Sequence, residues 1–266
     1  MSGWWLAGVG NEDDLAPRAG MEAIVTSLPL VCIPYAGGSS ACYERWHKHA
    51  NGTFSLVPFD LAGHGRRALE PVATTVPEVV NDLVEQVHSV ALTGNYALFG
   101  HSFGALLSYE LTLRLAEYGY PSPVHVFVSG ANPPHRLRRS KRHELSEEQL
   151  LRFVEERGMV PPSLLRSAEA RDFFLRILRA DFRAIETYEW IDNGPLPCPL
   201  AAFVAAEDPA IDAHVVHEWE RYSSGPAEIR WLAGATGHMY LDSHAEPILA
   251  AIRARLGVET ALEARG

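Results

Sequence analysis

The sequence is poor in cysteine and contains no long apolar run. Its three cysteines, Cys32, Cys42 and Cys198, are an odd number without CxxC spacing, so we expect neither a disulfide framework nor a zinc site. No apolar stretch approaches the roughly 20 residues that cross a bilayer. Residues 1–15 also lack the basic start and the apolar core of a secretory signal. These absences predict a cytoplasmic protein.

Positive charge is also scarce. The chain carries 23 Lys and Arg residues against 33 Asp and Glu residues, a formal net charge of −10. A balance of this sign disfavours binding to nucleic acids and to anionic membrane surfaces. The glycine-rich stretch after the first apolar run, Pro34 to Ser40, contains neither GxxxxGK[ST] nor GxGxxG. We therefore expect no metal and a partner that is neither nucleic acid nor membrane.

Apolar runs alternate with amphipathic helical patterns along most of the chain. Alternation of this kind predicts an α/β fold whose mostly parallel central sheet is flanked by helices, and the length suits one large domain over residues 1–266. Strands are predicted near residues 30–33, 56–60, 96–99, 124–128, 200–204 and 229–232, and helices near 77–92, 103–118, 213–222 and 246–256.

The alternation breaks between residues 132 and 199, where two helices are predicted without a strand. A capping box at Ser146 and Gln149 opens the first helix, which Gly158 ends, and the second spans about 168–190. A helical insertion in an α/β fold predicts a lid over an active site. Asp181 falls in the apolar stripe of the second helix. It is either a polar hinge to the site or an edge residue, and we favour the edge residue.

The chain is organised around Gly100-His101-Ser102-Phe103-Gly104, a Gly-x-Ser-x-Gly motif between an apolar run and a helical pattern. In a nucleophile elbow the serine sits on a strained turn between a strand and a helix, with its hydroxyl projecting above the sheet. Flanking glycines relieve the crowding on both sides of the turn. The alternative is a serine that only caps the helix. The strand-turn-helix context favours a catalytic Ser102.

A serine nucleophile requires donors for the oxyanion, a base and an acid behind the base. The N–H of Phe103, after the nucleophile, is one predicted donor, and an N–H of the Tyr35–Ala36 region is the other. A plain tight turn remains the alternative for the second loop. The chain order serine, acid, histidine selects Asp208 after a predicted strand and His238 in a loop after the last strand. Weaker candidates for the base are His101, which belongs to the elbow itself, His64, which precedes the serine, and His244, which lies before the terminal helix. Glu207 and Asp212 are fallback acids.

Six motifs stand in order along the chain: Pro34-Tyr35-Ala36-Gly37-Gly38, Gly63-His64-Gly65-Arg66-Arg67, the serine motif, Arg179-Ala180-Asp181-Phe182, Glu207-Asp208-Pro209 and Gly237-His238-Met239-Tyr240. Together they resemble those of the type II thioesterases, and the resemblance covers about residues 30–256. These are the stand-alone editing enzymes of polyketide and nonribosomal peptide synthesis, related to the medium-chain fatty-acyl thioesterases. Tyr35 stands where a histidine is common in that family, and Met239-Tyr240 where two phenylalanines are common.

The resemblance implies an α/β-hydrolase fold with a mobile lid and a triad of Ser102, Asp208 and His238. It also implies hydrolysis of acyl groups from the phosphopantetheine thiol of acyl or peptidyl carrier proteins, which removes aberrant or stalled units. The enzyme then needs no cofactor of its own, and we expect a monomer.

Within the basic run at residues 136–142, Arg136, Arg138 and Arg139 are candidates for contact with an acidic carrier, the alternative being a solvated loop. Other functions stay open: a carboxylesterase or lipase acting on oxygen esters, a chain-releasing thioesterase or cyclase, and a non-catalytic ligand receptor on a hydrolase scaffold. The sequence does not identify the acyl group or the pathway.

Overall fold

A central sheet of six parallel strands forms the body of the protein. The computed structural model describes residues 27–50, 52–137, 140–160 and 167–257. Within these ranges the strand order is β2-β1-β3-β4-β5-β6, and each neighbouring pair is parallel. This confirms the predicted α/β class. The strands are β1 (Leu28–Ile33), β2 (Phe54–Pro58), β3 (Ala97–His101), β4 (His125–Ser129), β5 (Leu200–Val204) and β6 (Ala227–Trp231).

The central strands are apolar on both faces because the sheet is covered on both sides. In β1, Val31 and Ile33 face one core cluster, whereas Leu30 and Cys32 face the other. Cys32 is fully buried and acts as a small apolar residue. The two cores explain why these strands have no polar alternation in the sequence.

Helices connect the strands and cover the two faces. A capping box at Thr75 and Glu78 starts α2, close to the predicted position. The α-helices are α1 (His47–Ala50), α2 (Val76–Ala91), α3 (Phe103–Glu117), α4 (Glu147–Glu156), α5 (Ala168–Thr187) and α6 (Ala245–Leu256), and 3₁₀ helices occupy Ser40–Trp46, Gly65–Arg67, Pro134–Arg136, Arg142–Glu144 and Val216–Tyr222. None of the helices in the described ranges is both long enough and apolar enough to cross a membrane.

The segment between β4 and β5 contains α4 and α5, as predicted for residues 132–199. The capping box of Ser146 and Gln149 is present, and the chain leaves α4 through Gly158 with a φ of +61°. Helix α5 ends at Thr187 because Tyr188 adopts an extended conformation, so the prediction of a helix to residue 190 is three residues too long. The helix predicted at 213–222 is instead the 3₁₀ helix Val216–Tyr222.

Candidate active site

Ser102 occupies a strained turn between β3 and α3. Its φ is +56° and its ψ is −112°, a conformation that side-chain-bearing residues rarely adopt. A Cβ on Gly100 would lie 2.0 Å from the carbonyl oxygen of Gly104, and a Cβ on Gly104 would lie 2.1 Å from that of Ile33. Both flanking positions therefore exclude any side chain, which is the physical reason for the two glycines of the motif.

Three side chains from distant parts of the chain meet at this turn. The Oγ atom of Ser102 lies 2.8 Å from Nε2 of His238, and Nδ1 of His238 lies 2.7 Å from Oδ2 of Asp208. The carboxylate only accepts, so Nδ1 of His238 carries the proton and Nε2 offers its lone pair to the Ser102 hydroxyl. This is the arrangement in which an imidazole takes the proton of an attacking serine.

The loops after β5 and β6 position the acid and the base. The Asp208 side chain is fully buried, and its Oδ1 atom accepts a hydrogen bond of 2.8 Å from the N–H of Ala210. The fallback acid Glu207 is exposed. The other fallback acid, Asp212, accepts from the N–H of His214, while its own N–H donates to Asn132. Of the candidate acids, the structure brings Asp208 to His238.

Two of the three candidate oxyanion-hole residues line the same cavity as Ser102. Ala36 and Phe103 are in its wall. Tyr35 is not among the described residues that line the cavity. The ring of Tyr35 packs edge-on against that of His101, with 6.1 Å between the ring centroids. The loop that contains Tyr35 and Ala36 turns tightly, with a 2.8 Å hydrogen bond from the N–H of Gly38 to the carbonyl oxygen of Tyr35. The N–H of Phe103 and an N–H of the Tyr35–Ala36 region remain predicted oxyanion donors, and of the latter two residues Ala36 is the one that lines the cavity.

A cavity of about 630 Å³ opens from the triad and is lined mainly by apolar side chains. One part of its wall belongs to the sheet side, around Ser102 and Leu106. The other part belongs to the 132–199 insertion and consists of Asn132, Leu137, Ser140, Arg142, Phe153, Glu156, Arg157, Met159, Phe182 and Ile185. A cavity of this size and composition suits an apolar acyl chain.

A buried carboxylate of α5 fixes the part of the insertion that lines the cavity. Glu186 accepts five hydrogen bonds, from Ser140, from the backbone and side chain of Arg142, and from the backbone and side chain of His143. Burial alone raises the pKa of Glu186, but these bonds outweigh it and lower the pKa to about 2. Arg142 in turn packs over the rings of Phe153 and Phe182. Sequence reasoning did not single out Glu186.

Asp181 is not an edge residue, so the sequence-based expectation is wrong. Its side chain is 3% exposed. The Oδ2 atom accepts a 2.6 Å bond from the N–H of Gly37, in the glycine-rich loop after β1, and faces Nε2 of His64 at 3.0 Å. The helical pattern shows that Asp181 points inward but cannot show which distant donors it meets. The signals in the sequence for this contact were the two motifs that contain His64 and Asp181, Gly63–Arg67 and Arg179–Phe182.

The geometry around His64 requires a charged ring. Its Nε2 atom faces the Asp181 carboxylate, and its Nδ1 atom lies 3.0 Å from the carbonyl oxygen of Ala62. Both neighbours only accept, so both ring nitrogens carry protons. Burial lowers the pKa of His64, but the hydrogen bond and charge of Asp181 outweigh it and raise the pKa above its ordinary value. A buried ion pair thus joins α5 to the loop after β2.

We expect replacement of Asp181 by alanine to destabilise the protein most at mildly acidic pH. Because the folded-state pKa of His64 is raised, the pair contributes fully below the ordinary pKa of about 6.5, and this contribution is lost as the pH rises through the raised value. At pH 6 the free energy of unfolding should fall by about 3 kcal/mol, since a buried charge loses its partner. Urea unfolding at pH 6 and pH 9 measures the effect.

The exposed Asp172 on the same helix provides the matched control, and Asp172→Ala should change stability by less than about 0.5 kcal/mol at either pH. A penalty for Asp181→Ala that is equal at pH 6 and pH 9 contradicts a charged His64.

Of the candidate carrier-contact arginines, Arg136 ends the 3₁₀ helix Pro134–Arg136. Arg136 pairs with Glu218, with 2.8 Å between Nη2 and Oε1, and its side chain is 49% exposed. Arg138 and Arg139 lie outside the described residues. No cluster of three or more histidine, cysteine or acidic side chains suited to a metal ion occurs in the part of the chain that the structure describes.

Comparisons with known proteins identify the family of the chain. The family model of the thioesterase domain matches residues 28–256. The medium-chain S-acyl fatty acid synthase thioesterase of Homo sapiens is 33% identical over 223 residues, which cover 81% of this chain and 81% of the relative.

Solved structures show the same likeness. RedJ, a thioesterase from the prodiginine biosynthetic pathway in Streptomyces coelicolor, is 36% identical with a TM-score of 0.78, and the match covers 85% of each chain. BorB, the type II thioesterase from the borrelidin biosynthetic cluster, is 29% identical with a TM-score of 0.78, over 87% of this chain and 94% of BorB.

Proposed function

Because this chain belongs to the thioesterase domain family, we propose that it is a serine thioesterase that uses Ser102, His238 and Asp208. Its substrates are acyl groups on the phosphopantetheine thiol of acyl or peptidyl carrier proteins, and its role is to remove aberrant or stalled units during polyketide or nonribosomal peptide synthesis. The observation that carries the proposal is the hydrogen-bonded line from Ser102 through His238 to Asp208 at the mouth of an apolar cavity.

The chemistry is acyl transfer in two halves. As Oγ of Ser102 bonds to the thioester carbonyl carbon, its proton passes to Nε2 of His238. The N–H groups of Ala36 and Phe103 hold the oxyanion. Collapse of the tetrahedral intermediate breaks the carbon–sulfur bond with little need of acid help. The departing thiolate takes the proton from Nε2 of His238 and leaves as the thiol, so the imidazole is neutral again. A water molecule then gives its proton to His238, attacks the acyl-serine and releases the acid, and the proton returns to Ser102.

The substrate class follows from the cavity and from the relatives. The apolar wall of the insertion accommodates an acyl chain beside Ser102. RedJ is named for the prodiginine biosynthetic pathway and BorB for the borrelidin biosynthetic cluster, and the human relative is a fatty acid synthase thioesterase. All three are named as thioesterases and each name gives a biosynthetic pathway, cluster or synthase, which favours a carrier-bound thioester over a free oxygen ester.

A comparison of two substrates with the same acyl group tests the proposal. We expect kcat/KM for the acyl group on a carrier phosphopantetheine to exceed that for its p-nitrophenyl ester by about 10²-fold or more, because the remote parts of the substrate add binding energy. A preference for the oxygen ester would instead indicate a carboxylesterase. Absence of turnover together with absence of fluorophosphonate labelling at Ser102 would indicate a ligand receptor.

We also propose that Arg136 contacts the acidic carrier. Arg136→Gln should lower kcat/KM for a carrier substrate about fivefold, the effect of about 1 kcal/mol from a charge at the rim of an interface. Hydrolysis of the same acyl group on N-acetylcysteamine, which has no carrier, should not change. Arg152→Gln, at a similarly exposed arginine of α4, is the control. Equal kcat/KM for wild type and Arg136→Gln on the carrier substrate would remove Arg136 from the interface.

A further inference from the structure

His101 lies directly beneath the catalytic histidine and has no role in the mechanism above. It is the residue before Ser102, at the end of β3, and is fully buried. Its ring centroid lies 5.1 Å from that of His238. The Nε2 atom of His101 lies 2.9 Å from the main-chain carbonyl oxygen of His238. The ring therefore contacts the backbone of the catalytic loop while the His238 side chain engages the triad.

The hydrogen-bond partners of His101 determine the direction of each proton. A carbonyl oxygen only accepts, so Nε2 of His101 is the donor to His238. In the neutral ring Nδ1 then accepts from the hydroxyl of Ser129, at 3.1 Å. The single O–H of Tyr240 faces two oxygens, Oγ of Ser129 at 2.8 Å and the carbonyl oxygen of Phe203 at 3.2 Å. Burial is the main cause that lowers the pKa of His101 well below its ordinary value, in agreement with a neutral ring.

The sheet and two aromatic rings hold the His101 ring in this orientation. Ser129 is the register partner of His101 on the neighbouring strand β4. The next residue, Gly130, has a φ of +59°, and a Cβ there would lie 2.5 Å from Cε1 of His101. Tyr240 and Tyr35 pack edge-on against the ring, at centroid distances of 4.9 and 6.1 Å. The donor that meets His238 thus belongs to the rigid sheet.

The loop that carries His238 needs such support. It contains no helix or strand between β6 and α6, and one isolated bridge joins Thr236 in it to Glu207. Gly234 and Gly237 within it both have left-handed φ values, +74° and +66°, and glycine adopts such values about as readily as other conformations. The side-chain bond to Asp208 holds the ring of His238 at one point but does not hold the backbone behind it.

We propose that His101 is a positioning residue whose Nε2–H anchors the carbonyl of His238 and thereby keeps the catalytic imidazole between Ser102 and Asp208. The proposal rests on the proposed function, because it assigns His101 a part in the same reaction. Displacement of a reacting group by about 1 Å can cost about 10²-fold in rate. Loss of the anchor therefore reduces kcat, whereas the cavity that binds the acyl chain is untouched and KM changes little.

Three variants at one position separate positioning from packing. His101→Leu should lower kcat by about 10- to 100-fold with KM within about threefold of wild type. Gln places an amide N–H near the position of Nε2 and should restore kcat to within about fivefold of wild type. Asn is equally polar but too short to reach the carbonyl of His238, so it should not restore kcat. His125→Leu is the control for the loss of a buried imidazole. His125 is also buried but is the first residue of β4, whereas Ser129, the register partner of His101, is the last.

The proposal is overturned if Gln and Asn give equal kcat, if the loss appears in KM, or if His125→Leu lowers kcat as much as His101→Leu. Where the leucine variant does not fold, the comparison of Gln with Asn decides the question. The rate of fluorophosphonate labelling of Ser102 is measured in parallel, since it depends on His238 and on no particular acyl substrate. If wild type is labelled but hydrolyses no thioester, the proposed function fails while the labelling rates of Gln and Asn still test His101.

Discussion

Replacement of Ser102 by alanine should lower hydrolysis of a carrier-bound thioester by about 10⁴-fold or more, because members of a triad act as a unit. The variant lacks the Oγ atom that lies 2.8 Å from Nε2 of His238, so no acyl-enzyme forms. Single-turnover hydrolysis of an acyl group on its carrier measures the rate. Fluorophosphonate labelling should disappear at the same time.

The serine variant needs a control for general damage to the fold. Ser89→Ala, at an exposed position of α2, should leave the rate within about twofold of wild type, as surface substitutions usually do. The Ser102→Ala protein should also unfold at the temperature of wild type to within about 3 °C, since it loses one hydrogen bond. A rate near that of wild type in Ser102→Ala would refute the serine mechanism.

Asp208→Asn should lower kcat by about 10⁴-fold, as expected when an imidazole is held in the wrong tautomer. The bond from the N–H of Ala210 to Oδ1 of Asp208 determines the orientation of the new amide. The amide oxygen must stay at that position, so the NH₂ group points at Nδ1 of His238. Nδ1 then accepts, the proton moves to Nε2, and the ring can no longer take the proton of Ser102.

The neighbouring acid offers a matched control for this variant. Glu207→Gln likewise replaces a carboxylate by an amide, at the exposed residue that precedes Asp208. Its kcat should stay within about twofold of wild type. If Asp208→Asn retained most of the activity while Glu207→Gln lost it, the acid of the triad would have been assigned to the wrong residue. Steady-state kinetics on one carrier-bound substrate measure both variants.

The strands and the serine turn were predictable because each depends on residues adjacent in the chain. The strand predicted at 200–204 is β5 at the same residues. The glycines on both sides of Ser102 indicated a crowded turn, and the short distances that a Cβ would make at either glycine confirm it. The family resemblance drawn from the ordered motifs is also confirmed by the match to the thioesterase domain. In all three cases the information is local or is a series of local motifs.

Helix limits and helix type were less predictable. The last turn that was expected for α5 is absent, and a segment expected to be α-helical between β5 and β6 is a shorter 3₁₀ helix. An amphipathic pattern shows which face of a helix is buried. The residue at which the helix stops depends on contacts made by the following chain, which the pattern does not contain.

The sequence alone determined the alternation of the fold, the strained position of Ser102 and the order in which acid and base follow it. The tertiary structure decided which polar side chains meet. Asp181 finds the N–H of Gly37 across 144 positions, and His101 finds the carbonyl of His238 across 137. Buried polar groups must be paired, and parallel strands bring distant loops to one edge of the sheet, so their partners are set by packing rather than by neighbours in the chain.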